Sequence, residues 1–125
     1  MCRAQHPLLA LGRAVRIREI LRYPVASTPL SDEVARLLIE RYGQAANPED
    51  MVTLRSDDTG SLASVALQSD AVVLTINAAG QNLSHLTLDP PFIGTARFGL
   101  VTLTGRAPAP GLALIQAFVA KTLLD

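Results

Sequence analysis

The chain has 125 residues, 49% of them hydrophobic, with eleven basic and eleven acidic side chains and a formal charge of zero. That length and apolar content suffice for one domain with a buried core and exclude a disordered tail. The neutral balance argues against nucleic acid or an anionic membrane as a direct partner, and the apolar runs fall short of the roughly 20 residues needed to span a bilayer.

No charged-then-apolar leader precedes a small-residue cleavage site, so a cytoplasmic location is expected. The single cysteine, Cys2, has no partner for an internal disulfide, and no Cys/His cluster has metal-ligand spacing. The basic residues are ten arginines and one lysine, a bias read as coding preference rather than function.

Residues 1–14 read as an irregular leading segment, with His6 extended because a residue before proline avoids the helical region. From Val15 to Leu21, Ile17, Ile20 and Leu21 fall at helical spacing, while Arg16, Arg18 and Arg22 project elsewhere. Five of the first 22 residues are arginine. Without interleaved aromatic residues they read as a solvated helix face in preference to a phosphate or nucleic-acid patch.

Tyr23 to Ser27 is a brief strand. Ser31 is a good N-cap for the next helix, Asp32 and Glu33 complement its dipole, Val34, Leu37 and Leu38 give it an apolar face, and Gly43 closes it. Ala45 to Asp50 reads as a connecting loop.

The rest of the chain is organised around Met51 to Ile76. Two short β-branched runs, 51–55 and 71–76, flank a segment in which Leu62, Val65 and Ala66 have helical spacing. Strands joined by a helix run parallel, so the turn Ser56-Asp57-Asp58-Thr59 is placed at a strand's carboxyl end and a helix's amino end, where open α/β sheets bind ligands. His85 to Leu88 reads as a further short strand, Ala96 to Thr104 as the longest, and Pro110 to Leu124 as a final helix. That helix carries an apolar stripe of Leu114, Ile115, Phe118, Val119 and Leu123.

Chemistry is sparse. There is no phosphate-cradling glycine loop. His6 and His85 stand in no arrangement with a nucleophile and a carboxylate, so each reads as a structural or surface histidine. Cys2 reads as no better a nucleophile. Asp57 and Asp58 fit acid/base or cation chemistry in principle, but the stronger reading makes one of them the N-cap of the following helix. Around them the Ser56 and Thr59 hydroxyls and the first amides of the helix converge. A carboxylate already at a helix start competes with an incoming anion, which favours a neutral or amine-bearing ligand.

In their order and spacing these segments resemble the carboxyl-terminal effector-binding region of LysR-type transcriptional regulators. Cys2 to Leu8 is similar to that family's His-Pro-Leu stretch at the end of the first-lobe sheet, and Val15 to Tyr23 to the segment that leads to the hinge. Tyr23 to Pro29 resembles the first strand of the second lobe, and Val65 to Ile76 the following helix and strand. Ala96 to Arg106 resembles the returning strand, and Pro110 to Leu124 the closing helix. Two departures are plain: Ser69-Asp70 replaces the family's Gly-x-Gly turn, and no proline closes the strand at Asn77.

The resemblance implies an α/β fold, a three-layer sandwich with a mainly parallel sheet, like a type II periplasmic-binding-protein lobe. It divides the chain into a leading segment and hinge (1–22), a second effector-binding lobe (23–90) and a returning strand with closing helix (91–125). Hinge positions fall near Arg22-Tyr23 and Asp89-Pro90-Pro91. Ligand contacts carried over by position are Ser27, Thr28, Ser56, Asp57, Asp58 and Asn77, with helix capping an equal alternative for Ser27 and Thr28. The implied role is sensing a small-molecule effector, without catalysis, cofactor or metal. DNA is expected to be reached only through a winged helix-turn-helix that this chain does not contain. A homo-oligomer is expected, through the stripe on the final helix and the helix over Ser31 to Tyr42. The alternative is a stand-alone small-molecule-binding or interaction module with no regulatory output.

Overall fold

The computed structural model describes residues 1–94, 101–103, 105, 107 and 109–123. They belong to two compact units, Met1–Gly94 and Thr95–Asp125. The first unit contains α1 (Pro7–Ala10), α2 (Ile17–Ile20), β1 (Val25–Ser27), α3 (Asp32–Tyr42), α4 (Pro48–Met51), β2 (Leu54–Arg55), α5 (Thr59–Gln68) and β3 (Val72–Leu74). Short 3₁₀ turns cover Gln44–Ala46 and Asn77–Ala79.

The sheet is parallel throughout, in the order β2-β1-β3. Ala26 lies opposite Leu54 and Val73, and Ser27 opposite Arg55 and Leu74. All three β1 residues are buried, as a central parallel strand covered on both faces requires.

Alternate side chains sort to opposite faces. Val25 and Val72 join Leu8, Val15, Ile20, Leu38, Ala46 and Met51 in one core, while Ala26 and Val73 join Leu62, Ala66 and Leu83 in the other. Thus α3 covers one face through Leu38, and α5 the other through Leu62 and Ala66. The architecture is mixed α/β around a small open three-stranded parallel sheet.

The caps of α3 follow its sequence. Ser31 Oγ accepts from the Val34 amide at 3.3 Å. At the other end Gly43 has φ 84°, a left-handed conformation that favours glycine, and its N–H donates to the Ile39 carbonyl at 2.8 Å.

Several local expectations are corrected. The leading segment is ordered: His6 caps α1, which Pro7 opens, and Cys2 makes an isolated antiparallel bridge to Ser84. The loop after Gly43 is likewise structured, because Asn47 caps α4 and Pro48 takes its first position. Met51 ends that helix as a buried residue, so the strand expected to start there starts at Leu54 instead. His85 to Leu88 is not a strand. Leu86 and Leu88 pack on the first core and His85 and Thr87 are exposed, but only Leu88 pairs, in a single bridge to Val15.

Leu8, Val15 and Ile20 of the leading segment lie in one core with Val25, Leu38 and Val72. In the second unit, α6 (Leu112–Leu123) matches the expected closing helix, and Leu114, Ile115 and Phe118 are exposed. The expected strand over 96–104 lies outside the described residues except for 101–103, which have no regular structure. Among the described residues no helix is long and apolar enough to cross a membrane.

Candidate functional site: the carboxyl edge of the sheet

Because the three strands are parallel, their carboxyl ends share one edge, and the turns that follow them meet there. The Thr28 turn, after the central strand, lies between the other two. The Ser56 turn is its direct neighbour, since the Ser56 N–H donates to the Ser27 carbonyl at 3.2 Å. On the other side Ser27 is in register with Leu74, so the chain from Thr75 to Asn77 completes the edge. Both long helices of this unit, α3 and α5, start from it.

The six residues expected to contact ligand divide into two groups. Ser27 is fully buried and its hydroxyl points inward, within bonding distance of the Thr28 carbonyl at 2.8 Å and the Leu74 carbonyl at 3.1 Å. It ties β1 to β3 and is unavailable to a ligand. Ser56 Oγ accepts from the Asp58 N–H at 3.1 Å, which shapes the turn.

Asp58 is the N-cap of α5, and its carboxylate accepts from the Gly60 N–H at 3.1 Å and the Ser61 N–H at 3.2 Å. It also accepts from the Ser61 hydroxyl. That hydroxyl, then the two amides, hold the Asp58 carboxyl below the ordinary aspartate value. The capping reading of this residue therefore describes its bonds.

Thr28, Asp57 and Asn77 remain. Among the described residues their side chains make no hydrogen bond; Thr28 is half-buried, and Asp57 and Asn77 are exposed. Ser31 takes one amide at the start of α3, that of Val34, and Asp58 takes two at the start of α5, so the edge offers hydroxyl, amide and one spare carboxylate. That set suits a polar ligand that is neutral or carries an amine; Arg55, which ends β2 opposite Ser27, is already paired with Glu49 at 3.1 Å.

Among the described residues no group of His, Cys, Asp and Glu is arranged to hold a metal ion. His6 is a structural histidine. It is buried, its Nδ1 accepts from the Leu8 N–H at 3.1 Å, and its Nε2 donates to the Asp70 carbonyl at 3.0 Å, which fixes the tautomer. Arg3 grips the same α5–β3 turn, pairing with the Asp70 carboxylate at 2.7 Å.

Two surface hollows lie away from this edge. These open basins of about 300 Å³ each adjoin the last turn of α3, one lined by Leu37, Glu40, Arg41, Phe92 and Ile93, the other by Arg16–Arg18, Arg41, Tyr42, Asp89 and Pro90. Since α3 runs back from the carboxyl edge to the strands' amino side, these basins are at its far end. Sequence reading assigned Arg16 and Arg18 to a solvated face. The only signal for the basin was the arginine density before Tyr23, because its other wall comes from residues far along the chain. Comparison with protein-family models, with curated proteins and with solved structures finds no match to this chain.

Proposed function

We propose that this chain is a small-metabolite-sensing domain of the LysR effector-binding kind, which takes its ligand at the carboxyl edge of the parallel sheet without transforming it. One observation carries the reading. Three parallel strands end together, and the turns after them hold Thr28, Asp57 and Asn77 outside any internal hydrogen bond among the described residues. Open α/β sheets bind ligands at such edges. In a periplasmic-binding-protein-like lobe such an edge forms one wall of a cleft and a second lobe supplies the other. In this reading regulation of transcription requires a DNA-binding domain coupled to the sensor.

The experiment is a thermal-shift screen of the full chain against neutral and amine-bearing metabolites, repeated on Thr28→Ala, Asp57→Asn and Asn77→Ala. A ligand at about a hundred times its dissociation constant adds about 2.7 kcal/mol to stability. The expected result is a hit whose shift shrinks in these variants while their unliganded Tm stays at the wild-type value. Hits whose shifts are identical in all three variants would refute the site, and a silent library would refute the sensing role.

A further inference from the structure

The two basins at the end of α3 meet at Arg41, and their walls differ in kind. One is mainly apolar, with Leu37, Phe92 and Ile93 beside Glu40 and Arg41. The other brings Arg16, Arg18 and Arg41 against one carboxylate, Asp89, with Ile17, Tyr42 and Pro90 completing the wall.

The charges are not consumed internally. Glu40 is paired with Arg36 at 2.6 Å, and Glu19 with Arg13 at 2.6 Å. Arg16 and Arg18 form no ion pair among the described residues, and Arg41 uses only Nε, donating to the Pro91 carbonyl at 3.1 Å. The floor between the basins is fixed: the Tyr42 hydroxyl donates to the Pro90 carbonyl at 2.8 Å, and the Tyr42 and Phe92 rings lie 6.3 Å apart. Beside this basic ground Ile93 stands 83% exposed.

From this juxtaposition we infer that the Arg41 face docks an acidic peptide segment carrying an apolar anchor residue. Guanidinium groups bind carboxylates through paired N–H donors, and recognition of acidic motifs by arginine clusters is a recurrent mode. The basins lie side by side and are open to solvent, whereas small-molecule sites enclose most of their ligand. An extended peptide satisfies both at once: its apolar side chain enters between Leu37, Phe92 and Ile93, and neighbouring carboxylates reach Arg16, Arg18 and Arg41. Docking here is independent of any ligand at the carboxyl edge.

The test is fluorescence anisotropy of the full chain with a labelled probe, Asp-Glu-Asp-Leu-Phe-Asp-Glu, beside a control in which Asn and Gln replace the acids. The acidic probe is expected to bind, to weaken as salt screens the charges, and to exceed the control by about tenfold or more. Arg16→Glu with Arg18→Glu should lose about tenfold or more, the milder Arg16→Gln with Arg18→Gln should lose less in the same direction, and Thr28→Ala should change nothing. Circular dichroism confirms that each variant is folded; both arginine pairs are on the surface. Equal binding of the neutral control would overturn the inference. So would undiminished affinity in both arginine variants, or capture by anionic vesicles with no affinity for the peptide.

Discussion

Replacing His6 by alanine tests the packing of the leading segment. The imidazole is 1% exposed, bonds the Leu8 amide and the Asp70 carbonyl, and stands edge-on to Tyr23 at 4.7 Å. Alanine leaves both backbone groups without their partner, at about 1–3 kcal/mol each, and opens a cavity against Tyr23. Water entering from the half-buried Asp70 side offsets part of that, so about 4 kcal/mol is expected. For a unit of this size it lowers Tm by roughly 20 °C. His6→Asn keeps an oxygen that can cap α1 but does not reach Asp70, and should recover about 1 kcal/mol of the loss. Urea unfolding followed by circular dichroism reads both variants. If alanine stays within about 1 kcal/mol of wild type, the two hydrogen bonds do not hold the segment, since surface substitutions alone give changes of that size.

Leu62→Ala, 1% exposed between α5 and the sheet, should lose about 2–5 kcal/mol in the same assay, whereas Leu67→Ala, 45% exposed on the same helix, should stay within about 0.5 kcal/mol. Ser31→Ala removes the α3 cap and should lose about 1 kcal/mol, with Ser31→Asp close to wild type. Acid should weaken the fold through Glu19 and Asp58. Bonds from Arg13 and the Arg16 amide hold Glu19 near 2 against an ordinary 4.5. Asp58 is lowered by Ser61 and the Gly60 amide. Both are depressed in the folded state, so their contribution is complete above the ordinary carboxylate values and fades as pH falls through the folded ones. The fall in urea midpoint between about pH 6 and pH 3 should be smaller in Glu19→Gln than in wild type; an unchanged pH profile would refute the pairing.

What the sequence disclosed depended on how locally each feature is encoded. Ser31, Asp58 and Gly43 act within one helical turn, and all three signals are visible in short stretches. The parallel sheet was legible because a helix between two strands leaves the chain little choice of direction. Its order was not, since β1 pairs with both β2 and β3 across long separations.

Pro7 and Pro48, read as parts of an irregular segment and a connecting loop, each open a short helix. His6 is extended as expected, with ψ 137°, and Asn47 is extended too, with ψ 119°, but each of those residues is itself an N-cap. At His85 to Leu88 the apolar residues suggested a strand, yet the segment pairs only through Leu88 with Val15 of the leading segment, which periodicity cannot reveal. At the carboxyl edge the residue types were legible and their duties were not. Ser27 looks like a ligand group in sequence, but the Thr28 and Leu74 carbonyls claim its hydroxyl.

The most direct test is a ¹H–¹⁵N titration of the full chain with a hit from the metabolite screen. Perturbed amides should concentrate at Thr28, Ser56 to Thr59 and Thr75 to Asn77. Shifts confined to Arg16–Arg18 and Arg41–Tyr42, with the carboxyl edge silent, would contradict the proposed sensor.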